Sequence, residues 1–543
     1  MTEISTAGTG AGSMPSSDAG YATPRPSARP RRDTAGRSRA TRALAWSAAI
    51  GIGTAILIMI AASAARNSWS SVHTAVPAAG PPWQLSLRVS VSTAIPALWA
   101  AALVGAGGVI AGLAAVRRGA RLPVRALLAV GLVATAALTV LPPAGSTDSL
   151  DYAAYGRMAV LRRSPYVMTP DQLRRTGDPV GRAAPAAWGK DVSLYGPLAT
   201  AEELGAAELG GTSAARIVFW LKLWNALAFG AVALALDRLL RCDPSRRARA
   251  HLLWTVNPLL LWALIAGAHV DGLAAAAGFL GLIVVGGAGL TRSAGPAGSA
   301  GPVPPARLSR PAPPGWRQAL ASGVLIGAAA DIKITFAIFG LGVAWACRRS
   351  ILSLAAAAAG AVAVLVPSYL WYGYPAVTAL SARSDYATAD SYYRWLAWPG
   401  PHPLSNLLLP VAAFAALAAL LLWRLPGAVP ALPAIQPALA LGLAWLFVAS
   451  YQLPWYDAMI LPLLAIYPAS RLDWLVLARL AAGTVALMPG NPLLPTVRPM
   501  RSVAAANLEL IVPLVLLGAL IALVWCAVSG SWGMRPGTDR TLS

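Results

Sequence analysis

The chain has 543 residues, 57% of them hydrophobic and only 12% charged, with a mean hydropathy of +0.60. A soluble domain carries about twice that share of charge, so a water-soluble globular class is excluded. The net charge of +22 is nearly all arginine; these arginines fall in alternate short loops, which is the positive-inside pattern of a membrane protein and not a nucleic-acid footprint.

Residues 1–42 are rich in Ser, Gly, Pro and Arg and are expected to be a disordered cytoplasmic tail. Arg25, Arg29, Arg31, Arg32, Arg37, Arg39 and Arg42 hold it inside and suit anionic lipid. The first apolar run starts near Ala43 and continues to full spanning length, so no cleavable signal peptide is expected. Run length predicts about 14 spans. They are roughly 43–65, 91–116, 123–142, 213–240, 251–267, 270–290, 317–331, 333–347, 351–370, 404–423, 431–450, 456–469, 473–489 and 507–528. The Pro/Gly/Ser-rich stretch 291–316 reads as a flexible cytoplasmic linker, and 529–543 as a cytoplasmic C-terminal tail. The loops assigned to the cytoplasm carry Arg117, Arg118, Arg121 and Arg125; Arg238, Arg241, Arg246, Arg247 and Arg249; Arg292, Arg307 and Arg310; Arg348 and Arg349; Arg424; and Arg471. Cys242, Cys347 and Cys526 lie at or near that side, with no disulfide framework and no metal-ligand spacing. No internal repeat is evident, which counts against an inverted-repeat transporter.

On this topology the unusual polar clusters gather on the external face. They are Asp148/Asp151, Tyr195-Gly196-Pro197, His269/Asp271, Asp331/Lys333, His402-Pro403, Trp455-Tyr456-Asp457 and Arg498/Arg501. Distant stretches sharing one membrane face is how loops on a helical scaffold assemble an active site.

The loop 143–212 opens on the paired carboxylates. Leu150, Ala154, Met158 and Leu161 recur at helical spacing among Arg157, Arg162 and Arg163, which predicts an amphipathic helix lying at the interface. Asp148 either caps that helix or acts as a base, and Asp151 reads as a capper or ion-pair partner. An external carboxylate facing water stays ionised without special burial. His269 and Asp271 either orient a phosphate or hydroxyl, or bond each other to close a hairpin. Lys333, one of three lysines, needs a carboxylate or a lipid phosphate, or else snorkels to the interface. Trp371, Tyr372, Tyr374, Tyr392, Tyr393, Trp395 and Trp398, with Arg383 and Arg394, suit sugar stacking and phosphate binding, or an interfacial aromatic belt. Arg498 and Arg501 run against the charge bias, which points to phosphate neutralisation.

In this order the motifs resemble a known family. They are Asp148 through Arg157, Ser164-Pro165-Tyr166, Tyr195-Gly196-Pro197-Leu198, Asn257-Pro258-Leu259-Leu260, Gly267-Ala268-His269-Val270-Asp271, Lys333, His402-Pro403 and Leu453-Pro454-Trp455-Tyr456-Asp457. The chain resembles, over about residues 45–528, the polyprenol-phosphate-mannose-dependent α-1,6-mannosyltransferases of actinobacteria, a branch of the GT-C glycosyltransferases. Ser164 stands where Asn is expected, and Asp151 is an extra acid beside the family position.

The resemblance implies an all-α polytopic GT-C fold over 43–528, with an external first long loop containing interfacial helices. It implies a donor of mannose on a polyprenyl phosphate, an external mannan or glycolipid acceptor such as lipomannan, and inversion at the anomeric carbon, with Asp148 as general base. Together with the chemistry above, the expected site is Asp148 and Asp151 for catalysis; Lys333, Arg394, Arg498 and Arg501 for the donor phosphate; and Arg157, Tyr195, His269, Asp271, His402, Trp455, Tyr456 and Asp457 for substrate. No cofactor is expected, and divalent-metal dependence is left open. The partners are the donor, the acceptor and membrane lipid, with no nucleic acid. The expected setting is the cell membrane, with both termini cytoplasmic and the site external. Two other readings stay open: a transporter or flippase of a lipid-linked sugar, and a GT-C enzyme with another sugar or a protein acceptor.

Overall fold

Apolar runs in lipid must satisfy their own backbone polar groups, and the helix does so within one segment. In the computed structural model every regular element among the described residues is helical. The described residues are 32–65, 79–286, 313–380, 387–396, 403–427, 429, 431–488 and 498–534. His402, Trp398, Arg383, positions 291–312 of the expected linker and most of both expected tails lie outside them, and only the backbone of Arg498 is described. Residues Thr41–Ser543 form one unit.

The chain begins with α1 (Arg32–Ala64), α2 (Val91–Arg117) and α3 (Val124–Val140). The first long loop folds into α4 (Asp148–Val160), α5 (Pro170–Arg175), α6 (Pro179–Ala183) and α7 (Pro197–Gly210). Next come α8 (Ala214–Leu239), α9 (Pro244–Leu253), the single turn α10 (Pro258–Leu260) running into a π-helical turn (Leu261–Ala266), and α11 (Asp271–Val284). Then α12 (Trp316–Ile332) leads through a 3-10 turn (Ile334–Ile338) to α13 (Phe339–Cys347), α14 (Ile351–Tyr372), α15 (Tyr374–Ala379) and α16 (Tyr393–Leu396). The last part holds α17 (Pro403–Arg424), α18 (Ile435–Val448), a 3-10 turn (Pro454–Met459), α19 (Leu461–Ile466) and α20 (Leu472–Leu487). It ends on α21 (Arg498–Ala506), a π turn (Asn507–Ile511) and α22 (Val512–Ser529).

Among the described residues, six helical stretches are long and apolar enough to cross a membrane: Ser38–Ala64, Val91–Arg117, Ala214–Leu239, Pro244–Ala266, Ile351–Tyr372 and Arg501–Ser529. Five shorter apolar helices stand beside them. The chain is therefore a multi-pass membrane protein. About 14 spans were expected because run length ignores breaks. The run 456–469, for example, is a 3-10 turn followed by the six-residue α19, only about 9 Å of helix. The most apolar window of Pro244–Ala266 is wholly buried, so this stretch is a bundle centre, whereas α14 turns Ile351, Leu352, Val362 and Leu370 outward, as a lipid-facing helix does.

Helix α4 departs from expectation. It is more buried than a surface amphipathic helix: nine residues, Ser149 to Gly156 and Met158, are buried, and it packs on α7 and α8. Small residues permit this. A Cβ on Gly156 would meet the carbonyl oxygen of Glu203 at 2.1 Å, so α4 and α7 touch backbone to backbone. Gly196 plays the same part between loop and helix. A Cβ there would stand 1.7 Å from the carbonyl oxygen of Asp331, and the Gly196 amide donates to Ile332 O at 3.3 Å. That contact seats Tyr195 at the end of α12, beside Lys333.

Several arginines that read as topology signals also fasten helices together. Arg249 donates to both oxygens of Asp473, at 2.5 and 3.0 Å, and to the carbonyls of Leu464, Ala465 and Tyr467. Arg117 reaches the same carboxylate at 3.0 Å. Removing one partner of such a buried network costs about 3–5 kcal/mol.

Candidate active site

The approach to Asp148 is held from two sides. Lys222 on α8 donates to the carbonyls of Leu141 at 2.7 Å and Pro142 at 3.4 Å, and the Ala144 amide donates to Ala266 O at 3.0 Å. Thr147 occupies the N-cap position of α4, with no side-chain cap bond, and Asp148 is the first helical residue. Its amide donates to Ser146 Oγ at 3.2 Å. Asp148 also lines a cavity of about 270 Å³.

Lys333 ends α12 in an extended conformation and enters the same cavity. Its Nζ lies 2.8 Å from Asp271 Oδ1 and 3.8 Å from the centre of the Tyr456 ring. It does not snorkel. Asp271 bonds Lys333 in place of the expected His269 partner. His269 instead stacks on Trp455, ring centres 3.5 Å apart, with Nδ1 at 3.3 Å from Tyr152 Oη and 3.9 Å from Asp148 Oδ2. Tyr152 in turn shares a 3.0 Å hydrogen bond with Tyr195 Oη. Asp148, Tyr195, His269, Asp271, Lys333, Trp455 and Tyr456, far apart in sequence, thus meet at one place.

The electrostatics depart from an acid facing water. Burial pushes the Asp148 carboxyl up to about 6, opposed by the Ser146 hydrogen bond and the Lys333 charge and aided by Asp271. It still ionises at neutral pH, and its place at a helix N-terminus favours the anion. Asp151 neither caps nor pairs. It is 3% exposed, both oxygens lack a hydrogen-bond partner, and burial, then the charges of Asp148 and Asp191, raise its pKa well above the carboxylate range against a weaker pull from Arg174. His269 is held neutral by burial and by the Lys333 charge.

Other expected residues lie elsewhere. Arg157 bonds Asp178 at 2.9 Å. Asp457 is buried against Arg479, which also donates to Gln452 Oε1 at 2.8 Å and Leu446 O at 3.2 Å; this group braces the turn that carries Tyr456. Arg394 and Arg501 are exposed and are not among the residues lining the cavity. Trp371 and Tyr374 point outward, 82% and 77% exposed, as an interfacial belt would.

The cavity's aromatic wall has other sources, which sequence reasoning missed: Tyr155, Trp188, Trp445 and Tyr451, with Asp191 as a third acid. Lys222 and Arg479 were missed too, although a cation inside an apolar run is the signal that marked Lys333. Glu202 and Glu203 on α7 are a further surprise, with all four carboxyl oxygens buried and unpartnered. Among the described residues, no group of three or more His, Cys, Asp or Glu is placed to hold a metal ion. Cys242, Cys347 and Cys526 are free.

An acid able to ionise, a fixed cation and aromatic faces around one small cavity can bind a phosphorylated sugar and accept a proton. The family described as alpha-(1->6)-mannopyranosyltransferase, N-terminal domain, matches residues 48–350. That stretch holds Asp148, Asp151, Tyr195, His269, Asp271 and Lys333. A protein of Mycolicibacterium smegmatis named probable alpha-(1->6)-mannopyranosyltransferase is 30% identical over 152 residues, which is 28% of this chain and 26% of that one. The match thus spans about a quarter of that curated relative's length. No solved structure matches the chain. With more than half of its length matched, the chain belongs to the alpha-(1->6)-mannopyranosyltransferase family.

Proposed function

We propose that this protein transfers mannose from a polyprenyl-phosphate-mannose donor to a hydroxyl of an external glycan or glycolipid, forming an α-1,6 linkage with inversion. The observation that carries the reading is the convergence of Asp148 and Lys333 on one aromatic cavity. Asp148 takes the proton of the acceptor hydroxyl while the acceptor oxygen bonds to the anomeric carbon. The bond from that carbon to the phosphate oxygen breaks, and its electron pair leaves with the polyprenyl phosphate. Oxocarbenium character at the sugar and charge on the leaving group develop together. Lys333, fixed beside Asp271, offsets the second of these. The aromatic rings give the sugar apolar faces to pack on. Arginine asymmetry between alternate loops supports an external site with cytoplasmic termini.

The test is transfer by the purified protein from labelled polyprenyl-phosphate-mannose to a short α-1,6-mannoside, with the anomeric configuration of the product read by NMR. Asp148→Asn should lower turnover roughly 100-fold or more while donor binding persists. The wild-type kcat/KM should rise with pH through about 6 and level off above it, because the base must be ionised. An active Asp148→Asn enzyme, or a flat profile between pH 5 and 8, removes Asp148 from the role.

A further inference from the structure

Asp151 lies one helical turn beyond Asp148, and both residues line the cavity. Positions three apart on a helix are neighbours on one face. The proposed transfer uses Asp148 and leaves Asp151 without a task. Yet Asp151 is 3% exposed and neither of its oxygens has a hydrogen-bond partner. Buried polar groups are nearly always paired, so an orphan lining a cavity points to a partner that arrives with a ligand. At about 270 Å³ the cavity falls below the usual range for drug-sized molecules, which suits a single sugar ring. Its other walls include Tyr155, Trp188 and Tyr451, amphipathic surfaces suited to a ring that has both CH faces and hydroxyls.

We propose that Asp151 recognises the donor sugar: its carboxyl hydrogen-bonds a ring hydroxyl of the hexose while Asp148 acts at the anomeric carbon. This rests on the transfer reaction above and names the residue that reads the sugar. Burial and the charges of Asp148 and Asp191 push the Asp151 carboxyl toward its protonated form, and in that form it offers a hydroxyl one donor and one acceptor. An amide offers the same two functions, whereas a methyl group offers neither.

The experiment uses the full-length purified protein and a short-chain polyprenyl-phosphate-mannose, together with donors lacking the hydroxyl at C2, C3, C4 or C6. For the wild type, one deoxy donor should lose about tenfold in kcat/KM. Asp151→Ala should show that loss with the intact donor, and removing the hydroxyl as well should cost nothing more. Asp151→Asn should recover most of what Asp151→Ala loses, since the amide restores one donor and one acceptor. Additive losses with every deoxy donor, or an Asp151→Asn enzyme as inactive as Asp148→Asn, would overturn the assignment. Because the carboxyl has no partner in the protein, Asp151→Ala should unfold no lower than wild type; a lower midpoint marks a structural role instead. Thermal protection by free mannose, compared with its deoxy forms, separates the two readings. Protection that depends on Asp151 in a protein that turns over no mannose donor overturns the transfer reaction and keeps the sugar contact. Turnover that ignores Asp151→Ala keeps the reaction and overturns the contact. Neither turnover nor protection overturns both.

Discussion

Replacing Lys333 by Met separates two roles of one ammonium group. Nζ sits 2.8 Å from Asp271 Oδ1, and the two side chains are 11% and 1% exposed. The ring of Tyr456 lies 3.8 Å away. Without the ammonium, Asp271 becomes an uncompensated buried charge, which costs about 3–5 kcal/mol. Loss of the cation–π contact adds roughly 0.5–2 kcal/mol. Stability should fall by that order, and Lys333→Met combined with Asp271→Asn should regain most of it, because an amide needs no counter-ion. Donor use follows another rule. A charge-assisted contact to the donor phosphate contributes about 1.5–3 kcal/mol, or roughly 10- to 150-fold in kcat/KM, and no change at Asp271 restores it. The assay is denaturant unfolding in detergent beside steady-state kinetics at varied donor, on the wild type, both single variants and the double. If donor kcat/KM recovers together with stability in the double variant, Lys333 is a structural partner and the phosphate assignment fails.

Gly156→Ala should lower the unfolding midpoint, since its methyl carbon would stand 2.1 Å from a backbone oxygen of α7 and force α4 away at a cost of about 1–3 kcal/mol; an unchanged midpoint means the two helices part freely. Asp148 and Glu202 carry pKa values raised by burial to about 6 and about 8, from 3.8 and 4.5. The folded state therefore binds more protons than the unfolded one, and this stability is fully present below the unfolded values and lost as pH rises through 6 and then 8. The midpoint should fall between pH 5 and 9, with Glu202→Gln flattening the upper part; a midpoint rising over that range contradicts the burial argument. The 26-residue α8, about 39 Å long, separates exposed Thr176 from exposed Cys242. An impermeant maleimide should label Thr176→Cys in intact cells and Cys242 only after permeabilisation, and labelling both from one side would refute the single external site.

What could be read from the sequence follows from contrast. Asp148, His269, Asp271 and Lys333 stand out because a charge or imidazole within apolar runs is conspicuous; Asp148 and Lys333 line the cavity, and His269 and Asp271 lie against them. Tyr155, Trp188 and Asp191 do not stand out, because a polar loop holds many such residues and nothing local marks the ones that turn inward. Asp457 looked as promising as Asp148. Only the fold brings Arg479 to it and withdraws it from the site. The spacing of Leu150, Ala154 and Met158 did signal a helix, but small residues on its other faces let neighbours close in and bury it. Span counting failed at 456–469 for a related reason: hydropathy registers the run and not the turn inside it.

The two halves of the cavity come from opposite sides of residue 350. Asp148 and Lys333 lie within the stretch the family matches, while Trp445, Tyr451 and Tyr456 come from beyond it. The proposed proton acceptor and part of the cavity's aromatic wall thus come from separate parts of the chain. Exchanging an aromatic residue in the later part reshapes the room around the sugar without moving the proton acceptor. Altered sugar preference should therefore be sought among substitutions at 445–456 as well as at Asp151, with Asp148 left untouched.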